Sequence, residues 1–158
     1  MQENKNSEWF ENWFDSPYYH ILYKHRNHKE AELFIDNLID YLHPATDSKF
    51  LDLACGKGRH SVYLHKKGFD VTGIDLSPEN IDCASKLTSS ADNTLRFCVK
   101  DMRNINLYEQ FDYVVNLFTS FGYFENDADD YATIEAVSKA LKPGGMFVLD
   151  FMHVQKIT

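Results

Sequence analysis

Apolar and polar positions along this chain follow two different periods, and the places where one gives way to the other predict its elements. Ala31, Leu33, Phe34, Ile35, Leu38, Ile39 and Leu42 recur at helical spacing, which predicts an amphipathic helix over residues 28–43, closed by Pro44 and Asp47. Short apolar runs then alternate with helical stretches. Strands are predicted at 50–54, 69–74, 95–99, 113–118 and 146–151. Helices are predicted at 59–67, 78–88 and 128–141. Ser77 supplies an N-cap and Pro78 a first helical residue for the second of these, and Lys142-Pro143-Gly144-Gly145 is read as a turn into the last strand.

Apolar strands alternating with helices imply an α/β fold: a doubly wound, mostly parallel sheet covered on both faces, giving three αβα layers. Right-handed crossovers then put ligand sites at the carboxyl ends of the strands. Asp52, Asp75, Asp101 and Asn116 each fall at such an end. Residues 1–45 read as a separate helical extension rich in rings: Trp9, Phe10, Trp13, Phe14, Tyr18, Tyr19 and Tyr23, interrupted by Pro17. Residues 46–158 read as the core.

Composition narrows the picture. The 158 residues suffice for one domain with a true core, and 44% hydrophobic with 25% charged residues is ordinary for a soluble globular chain. No apolar run approaches the roughly 20 residues that cross a bilayer, and no basic-then-apolar leader opens the sequence. Three cysteines, Cys55, Cys83 and Cys98, have no metal spacing and fit a reduced, cytoplasmic setting. His25 and His28 find no third ligand, so no metal is expected. The formal net charge of −8 argues against a phosphate backbone as partner, DNA included.

The candidate chemistry centres on Asp52-Leu53-Ala54-Cys55-Gly56-Lys57-Gly58, a strand end running into a glycine-rich turn before a helix. Such a turn brings bare main chain close to a ligand. A dinucleotide fingerprint, G-x-G-x-x-G/A, fails in both frames: the frame from Gly56 ends in Ser61 and that from Ala54 ends in Arg59. Asp75, about 20 residues on, suits a ribose diol in a dinucleotide or in another nucleoside cofactor.

These segments resemble the class I, Rossmann-like S-adenosylmethionine-dependent methyltransferases. Asp52–Gly58 is similar to that family's D/E-x-G-x-G-x-G loop, with Ala54 at its first glycine. Gly73-Ile74-Asp75-Leu76-Ser77 resembles its second-strand motif, Lys100-Asp101-Met102 its adenine-reading segment, and Leu141–Met146 its turn into strand five. The resemblance covers residues 50–151 and implies strand order 3-2-1-4-5. It implies S-adenosylmethionine as cofactor, held by Asp52, Ala54, Cys55, Gly56, Gly58, Asp75, Leu76, Asp101, Met102, Asn116 and Phe118. In that assignment Asp75 takes the ribose hydroxyls, Asp101 the adenine amine, and the Met102 N–H a ring nitrogen. Asp52 helps hold the cofactor's ammonium. A NAD-binding oxidoreductase and a non-catalytic S-adenosylmethionine-binding module are the alternatives.

In-line methyl transfer rests on alignment and leaves little trace of a catalytic residue. His153, Tyr123 and Tyr19 are the candidate bases, and the acceptor is expected to be a small molecule. Asn116-Leu117-Phe118-Thr119 lacks the prolines of the N/D-P-P-Y/F motif of nitrogen methylation. By analogy, Tyr18, Tyr19 and Tyr23 are placed to close the site as a lid. The family sheet continues after strand five with a helix and an antiparallel hairpin. This sequence ends at Thr158, so the expectation is a core lacking that hairpin, truncated and weakly active alone, with a bare strand-five edge inviting self-association.

Overall fold

A computed structural model describes Phe10, Tyr18 and residues 28–88, 93–118 and 120–151. Helix α1 (His28–Leu42) precedes β1 (Lys49–Leu53), α2 (Arg59–Lys66), β2 (Asp70–Asp75), α3 (Pro78–Ser85) and β3 (Leu95–Val99). A short 3₁₀ turn (Met102–Asn104), β4 (Phe111–Asn116), α4 (Asp127–Ala140) and β5 (Leu141–Leu149) follow. The five strands are all parallel and lie in the order β3-β2-β1-β4-β5, as the resemblance implies. That order reverses between β1 and β4, which places the switch point beside the glycine loop.

Alternate residues of the central strands feed two cores, so the sheet is buried on both faces. Phe50, Val71 and Val115 pack with Ile35 of α1 and Leu64 of α2 on one side. Leu51, Leu53, Ile74 and Val114 pack with Ile105, Val137 and Ala140 of α4 on the other.

The amino end of the sheet carries a row of alternating charges. Lys142 of β5 donates to both oxygens of Asp112 on β4 (2.8 and 2.9 Å), and Asp112 also accepts the Lys49 backbone N–H at 2.8 Å. The Lys49 ammonium lies 3.7 Å from Asp70 of β2, which is paired with Arg96 of β3. Every strand contributes one charge, in an order that only β3-β2-β1-β4-β5 brings together. Each pair is partly exposed and weak alone.

Most boundaries fall within a residue of expectation, and three elements depart further. Strand four starts at Phe111 and ends at Asn116, leaving Leu117 and Phe118 beyond it; Phe118 has φ 62, which extended backbone does not allow. Strand five begins at Leu141, ahead of Lys142–Gly145, which turn as expected within it: Leu141 pairs with Phe111 and Met146 with Tyr113, and Gly144 at φ 81 turns the intervening chain. Helix α3 stops at Ser85, three residues short of the expected end, while Ser77 caps its start by accepting from the Asn80 N–H at 3.3 Å. His153 and Tyr19 lie outside the described residues, as does most of the expected N-terminal lid.

Candidate active site

Four strand ends converge at the carboxyl edge of the sheet, and main-chain hydrogen bonds run beyond the strands to hold them there. The Cys55 N–H donates to the Ile74 carbonyl (3.0 Å), Lys100 N–H to the Asp75 carbonyl (3.0 Å), and Asp150 N–H to the Asn116 carbonyl (2.9 Å). The Asn116 side chain, buried, donates to the Leu53 carbonyl at 3.0 Å and so braces β4 against the start of the glycine loop.

The loop is a run of left-handed backbone: Ala54 at φ 56, Gly56 at φ 55 and Gly58 at φ 81. The two glycines serve different ends. A Cβ on Gly58 would stand 2.7 Å from the Phe97 ring, and one on Gly73 2.6 Å from that ring and 2.9 Å from Cys55 Sγ. Both therefore make room for Phe97 and for close packing of strand and helix. Gly56 has nothing within 4 Å of the corresponding point, so its bare face looks onto open space. Its N–H donates to Asp75 Oδ2 at 2.8 Å, which fixes the loop to the end of β2. Asp75 Oδ1 accepts from the Ser77 N–H (3.0 Å) and from Asn80 Nδ2 (3.2 Å).

Asp52 is buried to 1% exposure beneath this loop, with Ser61 Oγ donating to its Oδ2 at 2.6 Å. Burial raises its pKa to about 7 despite the Ser61 hydrogen bond, and the neighbouring Asp75 carboxylate pushes the same way. Burial also drives the Cys55 thiol far above the usual thiol range, with Asp52 and Asp75 adding to the effect. Cys55 is therefore a packing residue and no nucleophile. The arrangement suits a cationic ligand and disfavours a pyrophosphate.

Next to this acidic pair, Asp101 follows β3 and caps the 3₁₀ turn, accepting the Arg103 N–H at 2.8 Å. On the other flank Phe118 is gripped from several sides. His60 stacks on it (4.8 Å between centroids, 17° between planes), the Arg59 guanidinium sits 4.6 Å from its centre, and Asp150 Oδ2 accepts its N–H at 3.0 Å.

A family model described as a methyltransferase domain matches residues 50–145, the span from β1 into β5. The chain belongs to this methyltransferase family. YqeM of Bacillus subtilis (strain 168) is 43% identical over 110 residues, covering 69% of this chain and 44% of YqeM. The glycine/sarcosine N-methyltransferase of Aphanothece halophytica is 34% identical over 127 residues, covering 79% of this chain and 46% of that enzyme. The crystal structure of a S-adenosylmethionine-dependent methyltransferase from Clostridium acetobutylicum ATCC 824 superposes with a TM-score of 0.72 at 28% identity, over 93% of this chain and 58% of that one. The chain thus spans less than half the length of these two curated relatives.

Within this methyltransferase domain, the expected residues Asp52, Ala54, Cys55, Gly56, Gly58 and Asp75 form one contiguous group at the glycine loop. Half-buried Leu76 adjoins it, and Asp101 and Met102 follow the next strand. Asn116 and Phe118 complete the β4 side. Tyr123 is half-buried on the segment between β4 and α4. Residue spacing did not single out Ser61 on Asp52, Phe97 over the glycines, His60 against Phe118, or Asp150. The one available signal was the small hydroxyl of Ser61, at the position where a dinucleotide binder needs glycine or alanine.

Proposed function

We propose that this domain binds S-adenosylmethionine at the carboxyl edge of its sheet and transfers the methyl group in line to a small-molecule acceptor. The observation that carries this reading is the Gly56–Asp75 hydrogen bond near buried Asp52: an open main-chain cradle with two carboxylates beside it. When bound, the cofactor supplies an electrophilic methyl on a sulfonium with an activated leaving group. The chain's part is to bind and orient. Asp75, held by the Gly56 and Ser77 N–H groups, presents its remaining acceptor capacity to a ribose diol. Asp52 in its ionised form balances the cofactor's ammonium. The bare Gly56 peptide lets the methionine moiety approach, beside Ala54 and Cys55, while Gly58 keeps the loop packed. Leu76, Asp101 and Met102 bound the adenine side, and Asn116 and Phe118 the methyl side.

The acceptor side is walled by the segment between β4 and α4, which carries Tyr123. Phe10 packs edge-on against Phe124 (5.5 Å, 86°), which supports a role for the N-terminal extension in closing that wall. The glycine/sarcosine relative supports a small acceptor. Among the described residues no helix is long and apolar enough to cross a membrane, and none of their acidic or histidine groups forms a metal cluster. The exposed Met146 and Leu149 on edge strand β5 support self-association there, which sedimentation tests.

Incubation with methyl-labelled S-adenosylmethionine and a fractionated metabolite extract tests the transfer. Label in the low-mass fraction is the expected result. Cofactor binding without transfer to any fraction would leave a binding module, and saturable NAD binding in its place would leave an oxidoreductase.

A further inference from the structure

The Asp101 carboxylate, assigned above to the adenine amine, is already chelated by Arg103. Its Oδ1 accepts from the Arg103 backbone N–H (2.8 Å) and from Arg103 Nε (3.1 Å); its Oδ2 accepts from Nε (3.0 Å) and Nη2 (2.6 Å). The single Nε hydrogen is shared between the two oxygens, so three N–H groups hold the carboxylate, two of them from the guanidinium. A nucleobase amine that takes an oxygen competes with this chelate, most directly with the shared Nε–H. The same guanidinium also reaches the acceptor side. Its Nη1 donates to Asp129 Oδ2 at 3.2 Å, and its carbon lies 4.8 Å from the centre of the Phe124 ring, the ring that receives Phe10. Asp129 in turn closes the cap of α4: its N–H donates to Asn126 Oδ1 and its Oδ2 accepts from Asn126 Nδ2, both at 3.1 Å.

We infer that Arg103 is a positioning residue that relays cofactor occupancy to the acceptor wall, yielding Asp101 to the adenine amine and shifting onto Asp129 and Phe124. The relay rests on the cofactor reading given above. Its consequence is ordered assembly, in which the wall made by Phe124 and the α4 cap tightens only after the nucleoside is in place. Arg103 is then a competitor for Asp101 in the free protein, so removing it relieves the cofactor of that competition. A purely structural ion pair predicts the reverse, because loss of a brace loosens Asp101 and weakens binding.

The test uses S-adenosylhomocysteine as probe, with titration calorimetry and hydrogen exchange over residues 120–129, on wild type, Arg103→Gln and Arg103→Lys. The wild type is expected to bind and to gain protection over 120–129. Arg103→Gln is expected to bind about threefold or more tightly, as loss of a charged hydrogen-bond competitor allows, and to show no ligand-induced protection there. Arg103→Lys, which keeps the charge but not the fork, is expected to lose the protection as well. Weaker binding by Arg103→Gln with undiminished protection would overturn the relay while leaving the cofactor assignment standing. A wild type that ignores the probe would remove that assignment, and the relay with it.

Discussion

Asp52 makes the cofactor reading quantitative. Its pKa stands at about 7 because the carboxyl is buried beneath the loop with Asp75 nearby. If the ionised form receives an ammonium, binding must draw a proton off in the neutral range. At pH 6 about a tenth of the sites are ionised and at pH 8 about nine-tenths, so apparent affinity should rise roughly tenfold across that interval, about 1.4 kcal/mol. At pH 7 about half a proton should leave per ligand bound. Calorimetry of S-adenosylhomocysteine in two buffers of different ionisation enthalpy reads both quantities. Asp52→Asn keeps an acceptor for Ser61 but cannot ionise, and it should bind weakly at every pH with no proton release. An affinity flat from pH 6 to 8, with equal heats in the two buffers, would refute the reasoning. The unliganded protein gives the complementary sign. A folded pKa above the unfolded 3.8 means that this group's contribution to stability is full below pH 4 and is lost as pH rises to 7. Asp52→Asn should therefore raise the melting temperature at pH 8 and leave it nearly unchanged at pH 4.

Other outcomes follow from the loop and the charge row. Ala54 holds φ 56 with a Cβ, so Ala54→Gly should stabilise the fold by about 1 kcal/mol in thermal unfolding. Gly73→Ala drives a methyl into Phe97 and Cys55 Sγ and should cost about 1–3 kcal/mol. Gly56→Ala meets no such wall, so it should fold with a smaller loss yet bind S-adenosylhomocysteine poorly; equal effects on stability and binding in the two variants would contradict the division of roles. Asp112 sits below its ordinary pKa: burial opposes ionisation, but the Lys142 ammonium and the Lys49 N–H outweigh it. Its contribution is therefore present above pH 4 and lost as pH falls, and Asp112→Asn should cost under about 1 kcal/mol at pH 7 and nothing near pH 2.

The α/β class and the acids at the carboxyl edge of the sheet were legible because they depend on features local in the chain: alternation of period, Gly56 and Gly58 after a strand, and one polar residue at each strand end; the strand order came from the family resemblance. What escaped depends on distance across the fold. That Gly58 and Gly73 both serve Phe97 requires β2, β3 and α2 to be assembled, and nothing in the spacing of 58, 73 and 97 announces it. No sequence signal marks Arg103, two residues past Asp101, and only the packing of α4 brings Asp129 to its other side. Lys142-Pro143-Gly144-Gly145 turns as its residue types favour, but the pairing of Leu141 with Phe111, which starts β5 ahead of that turn, has no local signal. The charge row from Lys142 to Arg96 was invisible for the same reason, since its members are adjacent only once the strands are ordered.

Titration of S-adenosylhomocysteine and of NAD into this chain and its Asp75→Ala variant bears most directly on the whole account. It predicts one S-adenosylhomocysteine per chain, about tenfold or more weaker when Asp75 and its hold on Gly56 are removed, with no heat from NAD. Saturable NAD binding with S-adenosylhomocysteine silent, or unchanged affinity in Asp75→Ala, would contradict it.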